Sequence, residues 1–221
     1  GQPAFGHAYK TIEAQGVKIG IVGFLTQYIP HWEKPSIIKD LTFQSILTTA
    51  KDILPDLRQS VDLLIVAYHG GFERDLQTGL PTESLTGENE AYQLVEEYKD
   101  YIDALVTGHQ HREIADHLFG VPVIQPGYRG AFVGEIELEL DNHKKVVASN
   151  ARLHKTENCK VSSEVNQLIS DVSTEAEDWL DQPMGEVHGE MIIRDPMTAR
   201  LIEHPYIELI NKIQMEATGT D

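Results

Sequence analysis

Three of the ten histidines stand where an apolar run gives way to glycine. Asp62 to Tyr68 (DLLIVAY) runs into His69-Gly70-Gly71, and Asp103 to Thr107 (DALVT) runs into Gly108-His109-Gln110-His111. Neutral imidazole is the commonest protein ligand for first-row transition metals. A single strand-end histidine reads as a turn residue or hydrogen-bond partner, and His69 alone carries no more than that. A His-x-His behind a buried strand and a glycine, with another strand-end histidine 40 positions upstream, points to metal ligation. In an extended segment His109 and His111 would face the same way; in a turn they would splay to two centres. The neighbouring glycines allow close backbone approach and unusual φ/ψ.

Other groups read more plainly. Glu135, Glu137 and Glu139 alternate along one strand and form a solvated face rather than a carboxylate site. His31-Trp32-Glu33 is either a loop that touches substrate or a packed tryptophan, and packing is the simpler reading. Arg74-Asp75 and Arg112-Glu113 lie near the histidines but are equally explained as surface pairs. Cys159 has no histidine in its sequence context and reads as inert. Neither a Walker glycine-rich loop nor G-x-S-x-G is present, so P-loop and α/β-hydrolase chemistry have no support.

The elements that must carry these histidines follow from hydrophobic period. Val17 to Phe24 (VKIGIVGF) is rich in β-branched residues and bounded by turns, a strand. Phe43, Ile46, Leu47, Ala50, Ile53, Leu54 and Leu57 fall on one helical face, with Pro55 expected to kink or shorten the helix. The continuous apolar runs before His69 and Gly108 read as strands buried on both faces, as in parallel sheets. Gly70 to Gly87 reads as a long loop, a length that is often functional. Glu88 to Lys99 is helical. The order β-α-β-α-β predicts an α/β domain, in which ligands bind outside the carboxyl ends of the strands. Ala131 to Asp141 alternates and so belongs to an antiparallel or edge setting, with Lys144 to Leu153 pairing back on it. Beyond Glu157 the pattern changes. Val165 to Leu180 forms one helix stripe over 163–181, Gly185 to Ile193 could be a strand, and 199–217 is a final helix. That last helix is expected to pack through Tyr206, Ile210 and Ile213.

Composition narrows the classes. The chain has 221 residues, 41% of them hydrophobic, and carries 18 basic against 35 acidic side chains, a formal charge of −17. Such a surface does not attract a nucleic acid polymer or an anionic membrane, and a phosphate substrate would need a local positive centre. No stretch nears the ~18 uninterrupted apolar residues of a membrane span. One cysteine excludes an intrachain disulfide and a cysteine-rich zinc site.

Val61 to Val66 leading to His69-Gly70-Gly71, followed by Gly108-His109-Gln110-His111, resembles the last two motifs of calcineurin-like metallophosphoesterases. The opening YKTIEAQGVKIGIVGFLTQYIPHWEK, the segment ENEAYQL, and the closing LIEHPYIELINKIQMEATGTD are similar to the bacterial 5′-nucleotidase family. The nearest branch is that of the 2′,3′-cyclic-nucleotide 2′-phosphodiesterase/3′-nucleotidases. The G-H-x-H block is specific for the superfamily, and the flanking phrases support the branch.

The resemblance implies hydrolysis of nucleotide phosphate esters with two divalent ions of the Zn, Mn, Fe or Co class. It places His69 and His109 on one ion and His111 on the other, and implies a secreted, periplasmic or cell-wall-attached protein. The family's D-x-H, G-D and G-N-H-[DE] motifs, which supply the bridging carboxylate and the catalytic histidine, do not stand ahead of His69 here. The chain is therefore expected to be a fragment. Residues 1–156 would be the later half of a metallophosphoesterase α/β sandwich, 157–183 a linker helix, and 184–221 the beginning of the α+β nucleotidase C-terminal domain. Its own site would be incomplete, with no catalytic residue in the fragment, and self-association through the C-terminal part is expected. A second reading, from another class, is a non-catalytic interaction or complementing module on the same scaffold. A third is a different dinuclear hydrolase.

Overall fold

A computed structural model describes residues 3–220. Contacts divide the chain into two units that meet between Lys160 and Val161. In the first unit, β1 (Tyr9–Ala14), β2 (Val17–Leu25), β3 (Leu63–His69), β4 (Ala104–Thr107), β5 (Glu113–Leu118) and β6 (Val121–Pro126) form one mixed sheet in the order β1-β2-β3-β4-β6-β5. The four inner strands are parallel, and β1 and β5 are antiparallel edges. A separate hairpin joins β7 (Phe132–Leu140) to β8 (Val146–Lys155). This is an α/β arrangement.

The parallel register fixes where the histidines emerge. Leu25 pairs with His69, and Tyr68 pairs with Thr107, so β2, β3 and β4 end at one edge of the sheet. Between them run α1 (Pro35–Ile38), α2 (Ile46–Ser60) and α3 (Ala91–Tyr98). α2 and α3 bury Ile46, Ala50, Leu54, Leu57, Leu94 and Val95 in a core shared with Val22, Leu64, Val66 and Leu105. Asp103 accepts from the Arg58 guanidinium and, at 2.7 Å, from the Leu64 amide, which ties the end of α2 to the sheet.

Both helices begin on buried carboxylates from distant sequence. Glu90 accepts from the Ser45 hydroxyl at 2.6 Å and the Ile46 amide at 3.3 Å at the start of α2. Glu73 accepts from the amides of Tyr92 and Gln93, at 3.0 and 2.9 Å, at the start of α3. Negative charge there offsets the positive end of the helix dipole. Burial nevertheless pushes the Glu73 carboxyl above the usual carboxylate range, against the pull of those amides and Arg74.

The hairpin lies close to the outer strands. A β-carbon on Gly134 would stand 2.7 Å from the Ile124 side chain, and the His117 ring meets the Ser149 hydroxyl at 2.9 Å. Its Glu face is solvated as expected, with Glu137 paired to Arg152 at 3.0 Å and Glu135 to His154 at 2.7 Å. Asp141-Asn142-His143 spells D-x-H but forms the hairpin tip, where the Asp141 side chain accepts from the amides of His143 and Lys145, both at 2.8 Å. Lys144 at that tip bonds Asp62 at 2.8 Å, which also accepts from the Lys18 amide. The Lys144 ammonium, and then the Lys18 amide, hold the Asp62 carboxyl below its ordinary range.

The second unit holds α4 (Ser163–Leu180), α5 (Thr198–Leu201) and α6 (Pro205–Thr218), with no buried residue in any of them. Among the described residues no helix is long and apolar enough to cross a membrane.

Three expectations are corrected. α2 runs through Pro55 to Ser60, because Leu54 and Leu57 on either side are fully or almost fully buried and hold the helix to the sheet. Gly185 to Ile193 is irregular rather than a strand, since no strand among the described residues pairs with it. The final helix is broken at His204, which is extended (φ −127°, ψ 128°) as a residue before proline must be, and it restarts at Pro205. Tyr206 and Ile213, expected to pack, are 44% and 55% exposed.

Candidate metal centre

His69 closes β3, and the two glycines after it are forced by packing. A β-carbon on Gly70 would lie 2.0 Å from the Tyr68 ring, and one on Gly71 would lie 2.1 Å from the Gln110 side-chain oxygen. That oxygen accepts from the Phe72 amide at 2.9 Å, while the Gln110 side-chain nitrogen donates to the Phe72 carbonyl and to Glu83, both at 3.0 Å. Asn89 completes the network, accepting from the Gly71 amide at 2.6 Å and donating to Glu83 at 2.8 Å. The chain after β3 is thus stitched to the chain after β4.

His109 and His111 both have positive φ, 69° and 59°. Gln110 donates its amide to the Gly108 carbonyl at 2.8 Å, closing a three-residue turn on His109. Non-glycine residues in this region cost about 1–3 kcal/mol each and persist only where the surroundings impose them. The segment is therefore a turn, and its histidines splay. The His109 ring lies 5.4 Å from the His69 ring, edge to face, whereas His111 stacks on Tyr128 at 5.1 Å. Gly108 leaves room for this, since a β-carbon there would only touch His69 Nδ1 at 3.5 Å.

Two neighbours complete the surroundings of His109. Its Nε2 meets the Glu88 carboxylate at 2.8 Å. Trp32 lies 5.6 Å from it, ring centre to ring centre, on the loop after β2, and Tyr28 stacks on His31 at 3.7 Å in the same loop. Trp32 is 47% exposed, so it borders the site and is not a packed core residue. The cleft here measures about 560 Å³ and is lined by Thr82, Glu83, Glu88, Asn89, His109, Gln110 and Arg112.

Sequence reading missed Glu83, Glu88, Asn89 and Gln110. ENEAYQL is visible as the start of a helix, but Glu88 and Asn89 precede α3, and only the fold brings them to His109 and Gly71. Arg112 lines the cleft, while Arg74 instead donates to the Gly79 carbonyl at 3.1 Å and lies over the Tyr92 ring. Cys159 is exposed.

Among the described residues no group of three or more His, Cys, Asp or Glu side chains is close enough to hold a metal ion. The imidazoles of His69 and His109, with ring centres 5.4 Å apart, are two candidate donors. Their chemistry fits a first-row transition ion, and their number does not complete its coordination.

No family model matches the chain. A structure of a 5′-nucleotidase candidate from Staphylococcus aureus superimposes with a TM-score of 0.81 and 37% identity, over 91% of this chain and 39% of that one. The 2′,3′-cyclic-nucleotide 2′-phosphodiesterase/3′-nucleotidase of Salmonella typhimurium is 31% identical over 143 residues, 58% of this chain and 21% of that protein. The chain is a distant homologue of nucleotide phosphoesterases of the 5′-nucleotidase family. Bacillus subtilis YfkN, a trifunctional nucleotide phosphoesterase, is 24% identical over 220 residues, 90% of this chain. The chain spans only 14% of YfkN's length and 21% of the Salmonella enzyme's, so the homology covers a part of each relative.

Proposed function

We propose that this chain is the later half of the catalytic domain of a metal-dependent nucleotide phosphoesterase acting on nucleoside 2′,3′-cyclic phosphates and nucleotides. His69 and His109 would hold one divalent ion and His111 a second. The observation that carries this reading is the 5.4 Å approach of His69 and His109 at the carboxyl edge of a parallel sheet, with His111, at the other side of the same short turn, stacked on Tyr128. When bound, two such ions polarise a phosphoryl oxygen and supply a nucleophile at neutral pH.

The chain's own residues do the rest. Gln110, Asn89 and Glu83 hold the two histidine-bearing loops at fixed separation. Arg112 gives the cleft a cation, and Trp32 covers one side of His109. Glu83 and Glu88 make the rest of the cleft repel phosphate in a chain of charge −17, so nucleotide affinity depends on the ions and Arg112. Residues 157–183 would link this domain to a nucleotide-binding domain begun by 184–221. The exposed apolar stripes of α4 and α6 would support self-association. The parent protein would be secreted, periplasmic or attached to the cell wall.

Turnover of 2′,3′-cyclic AMP with added Mn²⁺ tests the reading. The chain alone is expected at background. A longer polypeptide that adds the upstream motifs is expected to be active and to lose at least 100-fold on His109→Ala. Robust turnover by the chain alone, abolished by His111→Ala, would show that its site is already complete.

A further inference from the structure

Among the described residues His109 makes one hydrogen bond through its ring, and the partner decides which nitrogen is left. An ionised carboxylate can only accept, so the Nε2 that meets Glu88 at 2.8 Å carries the proton. The other nitrogen, Nδ1, then keeps its lone pair when the ring is neutral. We propose that Glu88 is a positioning residue that holds His109 with Nε2 protonated and Nδ1 as the nitrogen offered to a metal ion; the metal half of this rests on the function proposed above.

Glu88 is built for the task. Its own carbonyl accepts from the Thr26 hydroxyl at 2.6 Å and the Tyr68 hydroxyl at 3.2 Å, and its amide donates to Thr86 at 3.3 Å. Three hydrogen bonds thus fix its backbone before its side chain reaches His109, 21 residues away in sequence. His109 is fixed from the other side by its closed turn at φ 69°. Both side chains are mostly shielded, 33% and 22% exposed, so water competes little for the bond. A histidine ligand that donates its second nitrogen to a carboxylate is oriented and made more basic, and loss of such a partner costs about 10–100-fold in metal affinity.

The test uses the whole chain, labelled with ¹⁵N-histidine, at pH 8, where an ordinary imidazole is neutral. Without metal, the His109 spectrum is expected to show an Nε2-bound proton shielded from solvent exchange, and Glu88→Ala is expected to lose that shielding. A ring protonated on Nδ1, or on both nitrogens, would overturn the proposal. With ¹¹³Cd²⁺ added, cadmium is expected to couple to Nδ1 of His109. Glu88→Ala should weaken Cd²⁺ binding about tenfold or more and let Nε2 couple as well, while Glu88→Gln, which keeps an acceptor oxygen, falls between. Loss of a nearby negative charge alone would weaken binding without changing the coupled nitrogen. Coupling to Nε2 in the unmodified chain, or an unchanged nitrogen in Glu88→Ala, would refute the positioning role. A longer polypeptide that adds the upstream motifs and still takes up no Cd²⁺ would refute the ligand reading and the metal half of this proposal with it, and the metal-free spectrum would still decide whether Glu88 sets the tautomer.

Discussion

The side-chain oxygen of Gln110 occupies the space that a β-carbon on Gly71 would enter, 2.1 Å from it. Gly71→Ala is therefore expected to push Gln110 out and break its three bonds to Phe72 and Glu83. The cost should be about 2 kcal/mol, from overpacking and unpaired buried polar groups. Gly23→Ala, where a β-carbon meets nothing within 4 Å, is the matched control and should change stability by less than about 0.5 kcal/mol. Urea midpoints of the two variants check this.

Trp32 reports on whatever His109 binds, because their rings are 5.6 Å apart. In a Trp179→Phe chain Trp32 is the remaining tryptophan. Its fluorescence is expected to be quenched by paramagnetic Mn²⁺ or Co²⁺ and to be indifferent to Mg²⁺, which prefers oxygen ligands. His109→Ala should remove the quenching. Equal quenching in His109→Ala would place the ion elsewhere.

Burial, and next the charge of Glu90, push the Tyr68 phenol far above its ordinary value. In the unfolded chain it ionises near pH 10, so above that pH the folded state holds the extra proton and stability falls as pH rises. One such group contributes a slope of at most about 1.4 kcal/mol per pH unit. Denaturant midpoints from pH 9 to 12 should fall, and Tyr68→Phe should flatten that fall even though it is less stable at pH 8 for want of its bond to Glu88.

Pro55 lacks the amide that would bond within α2. Pro55→Ala is expected to raise stability by about 1–2 kcal/mol, less than the ~3 kcal/mol helix propensity difference because proline also stiffens the unfolded chain. A thermal melt checks the sign; a lower Tm would mean the ring is needed for packing.

These tests also mark what the sequence made legible. His69 and His109 could be placed because parallel buried strands print as continuous apolar runs, and the sheet's carboxyl edge follows from their order. β5 and β6 could not: Val121–Pro126 carries Pro122 and Pro126, which argue against a strand until an edge partner is seen. β1 is exposed along its whole length and has no apolar face to read. Glu88 escaped because its importance lies in a bond to a residue in another loop, which no local spacing encodes. The stripes of α4 and α6 printed as helices, but a stripe does not name its partner, and Leu168, Trp179 and Leu180 remain at least 70% exposed.

The carboxylates of Glu73 and Glu90 carry a consequence for the order in which the first unit assembles. The start of α2 is satisfied by a residue 45 positions later, and the start of α3 by one 19 positions earlier. Ser45 also caps α2 locally, accepting from the Leu47 amide at 3.2 Å, but the amides of Ile46, Tyr92 and Gln93 are satisfied only once the chain between His69 and α3 has closed. Amide exchange should therefore find Ile46, Tyr92 and Gln93 opening together, as one cooperative unit with a common free energy, rather than fraying helix by helix. Glu90→Ala would then loosen not only α2 but the loop that delivers Glu88 to His109, so a change made far from the imidazoles would be felt at them.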